Sequence, residues 1–298
     1  MKKREINWSG RGHDYTDDEI DEIIDAVKTA DPLTQGKNLS MFETSFKEYN
    51  GVKHAFAVAN CTNSLDLAAV LSRIDEGDEV IIPAHTFCAT AIPFARVGAT
   101  IRWADIDSET RVVNLNTIKA VWTSKTKVIV VVHLYGLMAP MPEIMEFAAS
   151  QGVLVVEDCA QAIGAEINGC KSGTFGDFAC FSFHGAKNMS TLGEGGMLVV
   201  SADAGAELVS GLRHNGCRPY SGDRAHYWKP AMSNVDSDIK NVWPYNFCLG
   251  EVQCALGVKL LSRVDQMTDD RIARAHKFIG AMAGHAELSF QVVPEGYR

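Results

Sequence analysis

Phe181-Ser-Phe-His-Gly-Ala-Lys-Asn-Met-Ser-Thr-Leu-Gly-Glu-Gly-Gly196 decides how the rest of the chain is read. An apolar run, Phe178 to Phe183, breaks into a short loop that holds one lysine, Lys187. A glycine-rich turn follows, and then a second apolar run, Met197 to Val200. The pattern predicts strand, loop, strand, with an amine held between two buried walls. An ammonium beside a core must be paired or must lose its proton. A deprotonated lysine condenses with carbonyl groups, so Lys187 is either an ordinary loop lysine or the nucleophile of a Schiff-base chemistry.

Working outward, short apolar runs alternate with helical periodicities. Upstream stand His54–Ala59, Asp78–Pro83, Thr100–Ala104, Val128–His133 and Val153–Asp158 as strands. Asp17–Thr29, Met41–Tyr49, Leu65–Ile74, Thr86–Val97 and Met141–Ser150 read as helices. Downstream, Ala204–Leu212, Leu249–Leu260 and Asp269–Met282 read as helices and Leu288–Val293 as a further strand. Strands that are apolar on both faces and alternate with helices imply an α/β fold with a mainly parallel sheet covered on both sides. The polar, aromatic stretch His214–Tyr245 is too long for an ordinary connection and reads as a functional loop.

Composition narrows the function. The 298 residues are 46% hydrophobic and 22% charged, ordinary for a globular chain, and the net charge of −9 argues against nucleic-acid and anionic-membrane surfaces. No apolar run approaches the roughly 20 residues of a membrane span, and Met1-Lys-Lys-Arg-Glu5 is not followed by the apolar core of a secretory signal. The eight cysteines are scattered without a Cys-x-x-Cys pair, which suggests a reduced, cytoplasmic protein without a structural metal.

Ligands of an open parallel sheet collect at the carboxyl ends of its strands. After the first strand come Cys61, Thr62, Asn63 and Ser64, directly before a helix, where hydroxyls and free N–H groups suit a phosphate; a plain helix cap by Thr62 or Asn63 is the alternative. After the second comes His85-Thr-Phe87, with an aromatic face for a planar ring or for the core. His133-Leu-Tyr135 follows the fourth. Glu157-Asp158 ends the fifth, ahead of Gln161; a carboxylate there needs a cation, which a protonated pyridine, a lysine or an arginine could supply. Ser182, just ahead of Lys187, is a second candidate phosphate donor. An amine, a phosphate cradle, an aromatic plate and a carboxylate are together the parts of a pyridoxal 5'-phosphate site.

The chain resembles the DegT/DnrJ/StrS sugar aminotransferases, pyridoxal-phosphate enzymes of the aspartate-aminotransferase-like fold type I. The resemblance runs from about Leu33 to Leu261. It is carried by Leu33-Thr-Gln-Gly36, Phe42-Glu43, Gly77-Asp-Glu-Val-Ile-Ile-Pro83, Val132-His-Leu-Tyr-Gly136, Val156-Glu-Asp-Cys-Ala-Gln161, Gly173-Thr-Phe-Gly-Asp177, Phe181-Ser-Phe-His184, Lys187-Asn188 and Gly193-Glu-Gly-Gly196. It implies a three-layer α/β/α large domain over residues 1–250 and the start of a small α+β domain over 251–298, most of which would lie beyond Arg298. It implies that Lys187 carries the cofactor and shuttles a proton, that Asp158 pairs with the ring nitrogen, and that Phe87 stacks on the ring. Gln161 would meet the ring hydroxyl, and Thr62, Asn63 and Ser182 the phosphate. Asn246 would cross a homodimer interface to the neighbour's phosphate. Two positions depart from the family wording: Cys61 stands where glycine is usual, and Asn246-Phe-Cys248 lacks a frequent arginine.

The implied reaction moves an amino group from glutamate or glutamine to a keto-sugar nucleotide, with a 4-keto-6-deoxyhexose as the first substrate and a keto-cyclitol as the second. A dehydratase of the same fold would have histidine where Lys187 stands. A regulatory homologue without activity is the third reading. Arg218, Tyr220, Arg224, Tyr227, Trp228 and Lys229 are expected to meet the nucleotide or sugar.

Overall fold

The computed structural model describes residues 10–217 and 235–298. Seven strands form the central sheet: β1 (Ala55–Val58), β2 (Glu79–Pro83), β3 (Thr100–Ala104), β4 (Thr126–Val132), β5 (Leu154–Asp158), β8 (Phe178–Ser182) and β9 (Gly196–Val200). Their spatial order is β1-β9-β8-β5-β4-β2-β3, parallel except for β9, which runs antiparallel to both neighbours. A two-stranded hairpin, β6 (Glu166–Ile167) and β7 (Cys170–Lys171), stands apart.

Alternate residues of each strand feed opposite layers, which is why the runs are apolar throughout. Ala179 and Phe181 face a core shared with Phe42 and Phe46 of α2 (Lys37–Asn50) and with Leu256 and Leu260 of α8 (Glu251–Leu261). Phe178 and Cys180 face the other layer, with Leu65 of α3 (Cys61–Leu71), Phe94 of α4 (Ile92–Arg96) and Val209 of α7 (Asp203–Arg213). A third cluster joins β4 to Ile118 of α5 (Leu115–Val121) and Ile144 of α6 (Met141–Gln151).

Glu251 joins the two ends of the chain. Helix α2 has Gly36 at its N-cap and so no side-chain cap of its own. The buried Glu251 carboxylate takes its orphan N–H groups instead: Gly36 at 2.7 Å, Asn38 at 2.7 Å and Leu39 at 3.2 Å. That supplies the anion a helix N-terminus favours. Two further helices, α1 (Asp17–Thr29) and α9 (Val264–Met282), flank this corner.

Three sequence expectations give way here. Residues 86–97 are not one helix: a 3-10 turn, Cys88–Thr90, precedes α4, whose first turn contains Pro93 with no N–H to give. Helix α3 begins at Cys61, four residues before the expected start, because Asn60 caps it by accepting from Asn63 N–H at 2.9 Å. Leu288–Val293 forms no strand; the terminal pairing is made by Tyr297 and Arg298 against Ile167 and Glu166. No helix among the described residues is long and apolar enough to cross a membrane.

Candidate active site

Because β9 runs opposite to its neighbours, it begins at the edge where β1 and β8 end. Gly196 is therefore opposite both Val58 and Ser182. A side chain at Gly196 would stand 2.5 Å from the Asn60 carbonyl carbon and 2.8 Å from Cys61 N. Only glycine lets the first turn of α3 come down beside Ser182.

That corner is one end of a cavity of about 940 Å³, lined by Thr62, Phe87, Asp158, Gln161, Ser182 and Lys187 among others. Asn60 Oδ1 takes Asn63 N–H and Asn60 O takes Ser64 N–H, while Cys61 and Thr62 N–H have no acceptor among the described residues. Two free N–H groups at the positive end of an 11-residue helix, with the Thr62 and Ser182 hydroxyls, suit a phosphate. Asn63 is not part of this cradle. Its N–H is spent on Asn60, its side chain bonds the Asp66 carboxylate, and it does not line the cavity.

Asp158 ends β5, 5% exposed. Thr90 donates to its Oδ2 at 2.7 Å and Ala160 N–H to its Oδ1 at 3.1 Å; no cationic side chain among the described residues is hydrogen-bonded to it. Burial pushes its carboxyl above the usual range, against the opposing pull of those two donors and of the Lys187 charge. A buried carboxylate with only neutral donors can accept a cation brought into the cavity. Thr90, which lies within the helix expected over Thr86–Val97, is the side chain that holds this carboxylate, and its hydroxyl is in turn hydrogen-bonded to that of Thr86 at 2.7 Å.

Phe87 presents its ring at 72% exposure on the cavity wall. Gln161 spends its amide oxygen on Tyr135 N–H, 2.8 Å away, and keeps its NH₂ to offer a ligand. Tyr135 has the left-handed backbone (φ 59°) that this contact demands, and its hydroxyl lies 3.3 Å from His85 Nε2. Helix α9 supplies the remaining wall through Thr268, Arg271, Ile272 and Ala275. Asn246 lies outside the cavity, exposed, in an isolated bridge to His214. The six residues from Arg218 to Lys229 assigned to the nucleotide or sugar lie outside the described residues.

Behind Asp158, His133 and Glu157 are fully buried. With Cys159 they bring three metal-ligand atoms within 4.8 Å of one another. Their hydrogen bonds give a structural reason for the cluster. Glu157 accepts from His133 Nε2 (2.9 Å), Gly173 N (2.9 Å), Phe175 N (2.9 Å) and Gly176 N (2.6 Å). His133 Nδ1 accepts from Ala139 N–H at 3.2 Å, so Nε2 carries the proton it gives to Glu157. With both ring nitrogens and both carboxylate oxygens occupied, the cluster braces β5 under Asp158.

Known proteins agree with this architecture. The chain is 38% identical over 248 residues to a GDP-perosamine synthase of Caulobacter vibrioides, covering 83% of this chain and 62% of that protein. It is 47% identical over 183 residues to a UDP-N-acetyl-3-dehydro-alpha-D-glucosamine 3-aminotransferase of Acidithiobacillus ferrooxidans, covering 61% and 48%. The chain thus spans about half to three-fifths of the length of these curated relatives. Among solved structures, an aminotransferase from Psychrobacter cryohalolentis superposes with a TM-score of 0.82 at 32% identity, over 91% of this chain and 68% of that one. DesV of S. venezuelae, solved with a ketimine intermediate, gives 0.83 at 28% identity, over 94% and 71%. The architecture is that of the fold type I pyridoxal-phosphate enzymes. The family model for the DegT/DnrJ/EryC1/StrS aminotransferases matches residues 14–296, and the chain belongs to that family.

Proposed function

We propose that this chain transfers an amino group from glutamate or glutamine to a nucleotide-linked keto sugar, with pyridoxal 5'-phosphate as cofactor. One observation carries the reading. A buried carboxylate hydrogen-bonded only by neutral donors, an amine and an open helix N-terminus face one cavity, the set of groups that a phosphorylated pyridine aldehyde requires.

In this reading Asp158 holds a positive charge at the ring nitrogen. The Cys61 and Thr62 N–H groups, with the Thr62 and Ser182 hydroxyls, hold the phosphate. Phe87 covers one face of the ring, and the Gln161 NH₂ donates to its hydroxyl side. When bound, pyridoxal phosphate supplies an electron-withdrawing ring that makes the carbon bearing the amino group acidic. Lys187 Nζ is the base that would take the proton from that carbon and deliver it to the cofactor's aldehyde carbon, the relocation that leaves the amino group behind. Its place on a short loop between β8 and β9 lets it leave and re-enter without disturbing either strand. Lysine at this position, rather than histidine, favours amino transfer over dehydration.

The similarity to a GDP-perosamine synthase supports a nucleotide-linked sugar as acceptor, and a 4-keto-6-deoxyhexose is the first candidate. The 47% identity to a 3-aminotransferase over a shorter stretch supports a 3-keto nucleotide sugar as the second candidate. We further propose a cytoplasmic homodimer in which the exposed Asn246 reaches the partner's phosphate site, and a second unit that begins within residues 251–298.

The test mixes the holoprotein with glutamate or glutamine and follows the visible cofactor band, then adds 4-keto or 3-keto nucleotide sugars and weighs the products. An amino sugar formed from either acceptor, at the expense of the donor, is expected. Loss of sugar oxygen without gain of nitrogen would replace the reading with a dehydratase.

A further inference from the structure

Residues 12–15 are polar and aperiodic, precede the first helix, and do not line the cavity. Yet four backbone groups of the Lys187 loop are satisfied by them. Gly12 N–H donates to Gly185 O at 2.7 Å. Ser190 N–H donates to His13 Nε2 at 3.1 Å. The Tyr15 hydroxyl donates to Ser190 O at 3.1 Å and accepts from Leu192 N–H at 3.2 Å. The His13 and Tyr15 rings meet edge to face, 5.2 Å between centroids. Gly12 packs so closely on the carbonyl of Lys187 that any side chain there would collide with it.

The other side of this segment is held by α9 and the turn before it. Arg271, on the cavity wall, donates to Gly12 O, and Arg263 donates to Asp14 O at 3.0 Å. Arg263 also pairs with the buried Glu19 at 2.5 Å, and Glu19 closes a capping box with Thr16 at the start of α1. One short segment therefore ties the lysine loop to the helix that forms another wall of the same cavity.

We infer that residues 12–15 are a clasp that sets the position of Lys187 relative to α9, with His13 and Tyr15 as its positioning residues. The inference rests on the reading of Lys187 as the cofactor-bearing amine. His13 works as an acceptor: its Nδ1–H faces Asp14 O at 3.2 Å, leaving Nε2 unprotonated for Ser190 N–H. Removing either contact frees the loop three residues from Lys187, and small misplacements of a reacting group cost large factors in rate.

The experiment uses the full chain loaded with pyridoxal phosphate and the variants Tyr15→Phe, His13→Ala and His13→Gln. Three quantities are read: amino transfer from glutamate, the pH midpoint of the visible cofactor band, and deuterium exchange at the Ser190 and Leu192 amides. Tyr15→Phe and His13→Ala are expected to slow transfer about tenfold at saturating glutamate, with KM within about twofold, and to displace the midpoint. His13→Gln, whose amide oxygen accepts the same N–H, is expected to recover most of the loss. Faster exchange at Ser190 with wild-type turnover and midpoint would overturn the inference, as would His13→Gln being no better than His13→Ala. If His13→Ala does not fold, Tyr15→Phe, which loses one oxygen atom, decides by the same criteria. Should the wild-type chain transfer from neither glutamate nor glutamine, the proposed function has failed, and the midpoint shift still decides the clasp.

Discussion

Replacing Gly196 with alanine tests how the phosphate end of the cavity is built. The added methyl would lie 2.5 Å from Asn60 C, 2.7 Å from Asn60 O and 2.8 Å from Cys61 N. Ordinary contact begins near 3.4 Å, so the first turn of α3 must retreat by about 0.6 to 0.9 Å, at the roughly 1–3 kcal/mol typical of an overpacked interior. The atoms that move belong to backbone, so no side chain can swing aside to absorb the clash. If the strain appears as displacement of the phosphate donors, cofactor affinity falls by about 5- to 150-fold, at tenfold per 1.4 kcal/mol. The assay is an absorbance titration of the apoprotein with pyridoxal phosphate, with Tm measured on the same samples. A Kd within about twofold of wild type in folded Gly196→Ala protein would refute the assignment of the α3 N-terminus as the phosphate cradle.

Gly280 is the contrasting glycine: it sits in α9, where an added methyl would meet no atom within 4 Å, so Gly280→Ala should raise stability by up to about 1 kcal/mol in a denaturant melt and leave cofactor affinity alone. Glu157→Gln keeps one of the two acceptor oxygens that four N–H donors share, and should cost about 2–6 kcal/mol, as leaving two buried N–H groups without an acceptor does; a loss below about 1 kcal/mol in the same melt would mean the brace under β5 relaxes freely. Acidification should open the clasp. Burial holds the His13 pKa below its ordinary 6.5; the Arg263 and Arg271 charges add to that, and Glu19 and the Asp14 carbonyl oppose it. The unfolded chain therefore binds the proton first, so the His13 contribution is complete above pH 6.5 and is lost as pH falls through the lowered folded value. The Tm of wild type relative to His13→Gln should decline across that window, and a pH-independent difference would contradict it.

What can be read from the sequence follows from where the physical signal is local. Lys187, Asp158, Phe87 and Ser182 each stand at or just beyond the carboxyl end of an apolar run, so the rule about strand ends is enough to bring them to one cavity. Thr90 escapes because Thr86–Val97 has helical periodicity, and only the 3-10 turn brings its hydroxyl onto Asp158. Asn63 reads as a phosphate ligand because hydrophobic pattern alone cannot fix a helix start to a residue; the actual start, four positions upstream, makes Asn60 the cap and turns Asn63 away. Leu288–Val293 has the composition of a strand, but no sheet edge receives it. The run Met197–Val200 reads as a strand, but nothing in it signals that β9 is antiparallel to both neighbours, and the two-residue strands β6 and β7 are too short to carry a periodic signature. The clasp is the least legible, since His13 and Tyr15 meet partners 175 to 177 residues away through backbone groups, which leave no trace in side-chain chemistry.

The central claim is that Lys187 is the amine that bears the cofactor. Holoprotein reduced with borohydride, digested and mapped by mass spectrometry should carry the phosphopyridoxyl group on the peptide containing Lys187, and Lys187→Ala protein treated in the same way should carry none. A label on a peptide without Lys187, or an equal label in the variant, would contradict the account.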